Sequence, residues 1–227
     1  MTTVFLPGIG ADGRETWPTQ VGDATLEYPS EPLFASLSRK PGDGAAEHAE
    51  QILGATSGPL DVVAHSSGSI AALIAARASD RGRSLVLFEP ACMSVAPDSA
   101  AIRAFVATME PFWTRSDDAD LSDGEFAGHF LVAFGYPRPP RDDAGAIAFG
   151  RRLRDAAPAW SFDLDTGVCA RIPTLVVTGG WHPIYEDIAA ALAGAGAAQA
   201  TLPGTEHRPQ DDPAANALLS DFWRSLT

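Results

Sequence analysis

The sequence predicts an α/β fold in which helices cover both faces of a parallel sheet. Short apolar segments that close on Gly, Pro or polar residues alternate along the chain with longer, Ala-rich segments, and this alternation is typical of strand–helix–strand units. Hydrophobic residues make up 45% of the 227 residues and charged residues 20%, which is ordinary usage for a globular domain. A chain of this length favours one domain, with or without an insertion, over two full domains.

Six segments are predicted as strands and four as helices. The strands cover residues 4–6, 24–28, 60–64, 84–88, 174–178 and 199–202, and the helices cover residues 45–53, 69–78, 184–193 and 214–226. Asp43 and Asp212 precede two of the helices as candidate N-caps, and Pro213 stands at a first helical position, where its missing N–H removes no helical hydrogen bond. We therefore expect a short, mostly parallel sheet of about six strands, joined by right-handed crossovers and flanked by helices.

Residues 91–170 interrupt this alternation. They contain no convincing strand, but they carry aromatic side chains at loosely helical spacing, among them Phe105, Trp113, Phe130 and Trp160. We predict a helical lid inserted after the fourth strand, so that residues 1–90 and 171–227 form the core. The alternative is that these aromatic side chains only fill the small core of the insertion itself.

The charge and cysteine content exclude several classes of protein. Lys and Arg number 16 and Asp and Glu number 29, so the formal net charge is −13, which disfavours binding to nucleic acid or to anionic membranes. Cys92 and Cys169 stand far apart and form no C-x-x-C pair, which argues against a disulfide framework or a zinc site. The N-terminus does not resemble a signal peptide, and every apolar run is too short for a membrane helix. We expect a cytoplasmic protein, monomeric or homodimeric, that acts on a small molecule.

The sequence from Asp61 to Ser69 is the strongest local indication of chemistry. A buried strand leads directly into an Ala-rich helix, and Ser66 stands at the junction, with Ala64 two residues before it and Gly68 two residues after it. Small residues at these positions let strand and helix approach closely, so that the serine lies on a strained turn with its hydroxyl exposed. The pattern predicts Ser66 as a nucleophile. The alternative is that Ser66 is only a helix N-cap.

A nucleophilic serine needs a base, and His207 is the candidate. It follows the last predicted strand and precedes the final helix, so its loop opens on the same edge of the sheet as Ser66. His48 is expected on a helix surface, His65 is expected to point away from the Ser66 hydroxyl, and His129 lies in the predicted lid. A structural role for His207 in its loop is the alternative.

The chain at this point resembles the α/β-hydrolase superfamily, and the resemblance covers nearly all of it. The matching segments are residues 5–10, 64–68, 85–90, 175–180 and 202–207. The resemblance implies that the backbone N–H groups of Ile9 and Ser67 form an oxyanion hole. Pro7 stands where many members have histidine, and the usual first two strands of the family have no counterpart.

Several residues could supply the acid that, with Ser66 and His207, would complete a catalytic triad. The family usually carries its acid in the loop after the penultimate strand, where this sequence has Trp181 and His182. Glu89, at the tip of the strand next to that of Ser66, is the preferred candidate, since some members place the acid there. Glu186 or Asp187 in the next helix, or no functional acid, are the alternatives.

The leading functional prediction is a serine hydrolase that cleaves a carboxylic ester, lactone or thioester with an apolar acyl part through an acyl-enzyme on Ser66. An acyltransferase or cyclase with the same serine and histidine is one alternative. The other is a repurposed relative that binds a small hydrophobic ligand or acts as a lyase.

No cofactor and no metal is expected. Residues 8–13 match G-x-G-x-x-G after a strand, but the acid required about 20 residues later is only weakly matched by Glu27 or Glu31. His182 and His207 without a suitably spaced carboxylate would make a poor metal site.

Overall fold

Six parallel strands form a single sheet in the computed structural model, which describes residues 1–9, 13–35 and 44–226. The strands are β1 (Thr2–Leu6), β2 (Pro32–Phe34), β3 (Leu60–His65), β4 (Gly82–Phe88), β5 (Thr174–Thr178) and β6 (Ala198–Thr201). Their order across the sheet is β2-β1-β3-β4-β5-β6, and all five neighbouring pairs are parallel. The predicted fold class is confirmed.

Eight helices connect or flank these strands in the described part of the chain. They are α1 (Ala45–Ala55), α2 (Gly68–Ala78), α3 (Ala100–Trp113), α4 (Asp123–Ala133), α5 (Ala144–Arg154), α6 (Val168–Arg171), α7 (Pro183–Gly194) and α8 (Pro213–Arg224). Asp212 caps α8 as predicted, since its side chain accepts a hydrogen bond from the N–H of Ala214. The predicted cap Asp43 lies outside the described residues.

The sheet is buried on both faces because its strands alternate their apolar side chains between two cores. In β1, Leu6 joins one core and Phe5 the other, and in β4 Leu87 and Phe88 divide in the same way. One core contains residues of α1, α2 and α7, and the other contains residues of α8. A parallel sheet covered by helices in this way presents its strand ends as the accessible edge.

One predicted strand is wrong. Residues 24 and 25 lie in a turn, residues 26–28 have no regular secondary structure, and the outer strand is β2. Asp23 explains the difference, because its carboxylate accepts hydrogen bonds from the N–H and the hydroxyl of Thr25 and so holds a local turn. Leu26 is buried in the core behind the turn. Pro32 begins the edge strand, a position that proline tolerates.

Between β4 and β5 lie helices α3 to α6 and no strand. The helical character expected for residues 91–170 is therefore present, and α4 packs closely against α5. The division of the chain into a core and a lid stays a prediction. No helix among the described residues is long and apolar enough to cross a bilayer.

Candidate active site

Ser66 lies on a strained turn at the carboxyl end of β3. Its φ is 52°, a left-handed conformation that a residue with a Cβ adopts only under constraint from its surroundings. Two backbone hydrogen bonds supply that constraint. The N–H of Ser66 donates to the carbonyl of Phe88 at 2.9 Å, and the N–H of Ala91 donates to the carbonyl of Ser66 at 3.1 Å. Ser66 is thus fixed against the end of the neighbouring strand β4.

The residues around the turn allow strand and helix to approach closely. A Cβ at Gly68 would stand 2.6 Å from the carbonyl oxygen of Pro7, so only glycine fits at the start of α2. Ala64, which occupies a position where glycine is commoner, lies fully buried inside β3 and does not require a positive φ. The alanine therefore leaves the turn intact.

A chain of hydrogen bonds joins Ser66 to His207 and Glu89. His207 Nε2 lies 3.1 Å from Ser66 Oγ, and His207 Nδ1 lies 3.3 Å from Glu89 Oε2. The Glu89 carboxylate is an acceptor, so the imidazole proton belongs on Nδ1 and Nε2 is left to accept from the Ser66 hydroxyl. This is the arrangement in which a neutral histidine acts as a base toward serine.

Glu89 is completely buried and accepts hydrogen bonds from two further donors. The N–H of Gly179 lies 2.6 Å from Oε1, and the indole Nε1–H of Trp181 lies 3.0 Å from Oε2. Glu89 has a φ of 44° at the end of β4, so its backbone takes the same left-handed conformation as that of Ser66 at the end of β3. Trp181 stands where the acid is commonly expected, and here its indole N–H donates to Glu89 at the end of the neighbouring strand.

The loop that carries His207 is pressed against the end of β5. A Cβ at Gly179 would stand 2.0 Å from the carbonyl oxygen of Glu206, which is closer than two such atoms can approach. Glu206 has a φ of 49°. Ser66, Glu89 and Glu206 are the only non-glycine residues with positive φ in the described part of the chain, and all three lie at this site. Such clustering is typical of sites where the surrounding structure maintains strain.

The alternative acids make other contacts. The carboxylate of Asp187 accepts from the Ser99 hydroxyl at 2.5 Å, and no described hydrogen bond joins Glu186 or Asp187 to His207. His182 caps α7, because its Nδ1 accepts from the N–H of Ile184 at 3.2 Å. The sequence analysis did not favour His182 as a metal ligand. The capping bond gives this histidine a structural role.

His65 makes a contact that the sequence analysis did not identify. Its Nε2–H donates to the backbone carbonyl of His207 at 2.8 Å, and the two imidazole centroids are 4.8 Å apart. Burial is the main cause that holds the pKa of His65 well below 6.5, so the ring is neutral and has one proton to donate. The side chain does not bond to the Ser66 hydroxyl, as expected, but it does hold the predicted base.

The Ser66 hydroxyl opens into a cavity of about 720 Å³, within the usual range for small-molecule sites. The cavity lies between the carboxyl edge of the sheet and helices α3 to α5. Ile9 and Ser67, the predicted oxyanion-hole residues, both line it beside Ser66. Their role as N–H donors stays a prediction. Tyr185 also lines the cavity, with its ring 4.9 Å from that of His207, and burial raises its pKa well above 10.

Comparison with known proteins identifies the fold. No protein-family model matches the sequence, and no curated protein matches it. An α/β-hydrolase from Sphaerobacter thermophilus is 21% identical with a TM-score of 0.62, over 98% of this chain and 92% of that chain. A variant of an epoxide hydrolase from Bacillus megaterium is 15% identical with a TM-score of 0.66, over 98% and 93%. Est816, described as an N-acyl homoserine lactone degrading enzyme, is 16% identical with a TM-score of 0.63, over 100% and 93%.

The chain therefore has the α/β-hydrolase fold. These likenesses extend over almost the whole of each chain, so the short sheet and the helical segment between β4 and β5 are both within the compared regions. At this level of identity they define the fold, and the activity has to be argued from the site itself.

Proposed function

We propose that this protein is a serine hydrolase that cleaves a carboxylic ester, lactone or thioester with an apolar acyl part. One observation carries the proposal: Ser66, His207 and the buried Glu89 form a continuous hydrogen-bonded chain whose serine end opens into an apolar cavity. A nucleophile, a base and a group that orients the base are the requirements of acyl transfer through serine.

In the acylation half-reaction, Ser66 Oγ attacks the carbonyl carbon of the substrate as His207 Nε2 takes its proton. The backbone N–H groups of Ile9 and Ser67 receive the negative charge that develops on the carbonyl oxygen. When the tetrahedral intermediate collapses, the imidazolium protonates the departing alcohol or thiol. The acyl group is then esterified to Ser66.

Deacylation repeats these steps with water as the nucleophile. His207 removes a proton from water, the hydroxide attacks the acyl carbon, and the proton returns to Ser66 Oγ as the carboxylic acid leaves. In both halves the Glu89 carboxylate offsets the positive charge on His207 and keeps its Nε2 directed at the reacting atoms. The Gly179 and Trp181 donors hold that carboxylate in place.

The likeness to Est816, whose description names lactone degradation, supports the inclusion of lactones among the substrates to be tested. We also propose that residues 91–170 act as a lid, because residues from that segment, including Phe130 and Trp160, line the same cavity as Ser66.

The proposal is tested with a fluorophosphonate probe and the Ser66→Ala protein. We expect the probe to label the wild-type protein at Ser66, and Ser66→Ala to abolish both labelling and the turnover of a panel of esters and lactones. Loss of a nucleophile costs several orders of magnitude in turnover, so residual activity above about a hundredth of wild type would exclude a covalent route through Ser66.

Ser69→Ala is the matched control, because it also removes a serine hydroxyl from the same turn and helix. Ser69 is fully buried, and its hydroxyl makes no hydrogen bond with the described part of the chain. We expect this variant to be labelled at the wild-type rate. Equal losses in both variants would attribute the effect to disturbed folding.

The acyl acceptor is tested separately. If added alcohols or thiols compete with water and capture most of the acyl group, the protein is an acyltransferase with the same machinery. If the wild-type protein is neither labelled nor active on any ester or lactone, the hydrolase proposal is wrong.

A further inference from the structure

We propose that the acyl group of the substrate is an uncharged aromatic ring system, such as a fused-ring arene carboxylic ester. This inference rests on the proposed function, because it assigns a substrate class to the same site. It is carried by the group of rings that line the same cavity as Ser66, which we call the aromatic wall. The aromatic wall consists of Phe105, Trp113, Phe130, Phe134, Phe149 and Trp160.

The rings of the aromatic wall hold one another in fixed orientations. Trp160 meets Trp113 edge to face at 5.1 Å between centroids, and Phe130 meets Phe149 edge to face at 5.6 Å. Phe105 is in contact with Phe130 at 5.8 Å, also edge to face. Aromatic side chains have only two rotatable bonds, so mutual packing makes the wall stiff. A stiff wall of ring faces and edges matches a flat, rigid ligand better than a flexible alkyl chain.

Several polar and charged groups around the wall are already engaged. The indole N–H of Trp113 donates to the carbonyl of Ala156 at 3.0 Å. At the border of the cavity, Arg151 is paired with Asp123 and Arg208 with Asp211. Arg152 also has an interaction partner. Among the described residues at this border, Arg151 and Arg208 are thus each neutralised by a carboxylate, which favours a neutral acyl group over an anionic one.

Aromatic complementarity can be separated from simple hydrophobicity. The ring quadrupole favours offset and edge-to-face pairs, and each good pair is worth about a 2- to 10-fold gain in affinity beyond area burial. A saturated ring of the same skeleton has more apolar surface than the arene and gains more from area burial alone. A cavity that selects only for hydrophobicity would therefore prefer the saturated ligand.

The test measures binding to the Ser66→Ala protein, which retains the aromatic wall but lacks the nucleophile. The probes are methyl 2-naphthoate, its fully saturated decahydro counterpart, and a naphthoate methyl ester with a second, ionised carboxylate. We expect methyl 2-naphthoate to bind at least tenfold more tightly than either of the others by titration calorimetry. Equal or tighter binding of the saturated ester overturns the inference that the acyl group is aromatic. Equal or tighter binding of the anionic ester overturns the inference that it is uncharged.

Two further substitutions in the Ser66→Ala protein test whether the preference for the arene comes from the aromatic wall. Trp160→Leu should reduce the ratio of the naphthoate and decahydro affinities about 2- to 10-fold, and Phe149→Leu should act in the same direction. Phe222→Leu removes a partly buried ring that packs against the core on the α8 side and does not line the cavity, so it should leave the ratio unchanged. A ratio that is unchanged in both wall variants, or reduced as much by Phe222→Leu, overturns the role of the wall.

Failure of this inference and failure of the proposed function give different results. The binding experiment needs no turnover, so a protein that prefers the arene but resists the fluorophosphonate probe keeps the inference and loses the hydrolase proposal. A labelled, active protein that prefers the saturated ester keeps the hydrolase proposal and loses the inference.

Discussion

Three donors converge on the buried carboxylate of Glu89, and one of them is the imidazole of His207. A buried carboxylate that lacked such donors would be strongly destabilising. The Gly179 and Trp181 bonds therefore do more than fix a rotamer, because they allow a full negative charge to persist next to the base. In the proposed mechanism, that charge offsets the positive charge on the His207 imidazolium during acyl transfer.

Glu89→Gln tests this assignment at the scale of one residue. The amide keeps the size of the side chain but cannot offset the positive charge on His207, so we expect turnover to fall by about three to four orders of magnitude with the fold retained. Steady-state kinetics and circular dichroism measure the two effects.

Glu186→Gln and Asp187→Asn are the controls for that experiment. Glu186 lies in the first turn of α7, where a carboxylate contributes about 0.3–1 kcal/mol through the helix dipole, and the carboxylate of Asp187 is bonded to the Ser99 hydroxyl. We expect near-wild-type turnover from both. A loss in either control as large as that of Glu89→Gln would contradict the assignment of the acid.

His65 gives a second prediction at this scale, for a residue that acts through the backbone of His207. His65→Phe keeps a ring but removes the Nε2–H donor, so we expect a kcat about 10- to 100-fold lower with little change in KM, in line with a cost of about 1–3 kcal/mol for leaving a buried acceptor without its donor. His65→Gln, which restores a donor, should recover part of the loss. If Phe and Gln behave alike, the bond to the His207 carbonyl has no part in positioning the base.

At the scale of elements, the site depends on how closely β1 and α2 approach each other. A Cβ at Gly68 would lie 2.6 Å from the carbonyl oxygen of Pro7 and 3.0 Å from that of Leu6. Both are backbone atoms, which cannot move aside as a flexible side chain can. The same contact sets the position of Ser66, two residues earlier.

Gly68→Ala should therefore separate β1 from α2. We expect a loss of about 1–3 kcal/mol in the free energy of unfolding, typical of overpacking, together with slower labelling of Ser66. Urea denaturation and fluorophosphonate labelling measure these effects. The control is Gly194→Ala at the end of α7, where a Cβ meets nothing within 4 Å. A destabilisation in the control equal to that of Gly68→Ala would show that close approach is not the cause.

At the scale of the whole molecule, stability should depend on pH through the buried histidine His65. Burial depresses its folded-state pKa well below 6.5, so below pH 6.5 the unfolded chain binds a proton that the native protein does not. The free energy of unfolding from this group then falls as the pH falls, and it is fully present above pH 6.5.

Replacing His65 by a residue that does not titrate tests this dependence of stability on pH. In His65→Gln, the slope of unfolding free energy against pH just below 6.5 should be flatter than in wild type by up to one proton, or about 1.4 kcal/mol per pH unit. Urea denaturation between pH 5 and pH 7.5 measures it. His48→Gln, which replaces a histidine of α1, is the comparison. An unchanged slope in His65→Gln would mean that folding does not lower the pKa of His65.

The elements with strong local patterns could be predicted from the sequence, and those without them could not. Strands β3, β4 and β5 are continuous apolar runs, and each lies within one or two residues of its predicted position. The outermost strand on the β1 side was misplaced, because residues 24–28 look like a strand but Asp23 holds the start of this segment in a turn. Edge strands are short and half-exposed, so their apolar pattern is weak.

The sequence by itself determined the α/β class, the turn that carries Ser66 and the loop that carries His207, since each depends on residues adjacent in the chain. Only the tertiary structure decided which groups meet. Ser66 and His207 are 141 residues apart and Glu89 and His207 are 118 apart, and they come together because the ends of parallel strands share one edge of the sheet. The bonds from Trp181 to Glu89 and from His65 to the His207 carbonyl also join residues at the ends of different strands. No local sequence pattern encodes a partner on another strand, so these bonds could not be predicted.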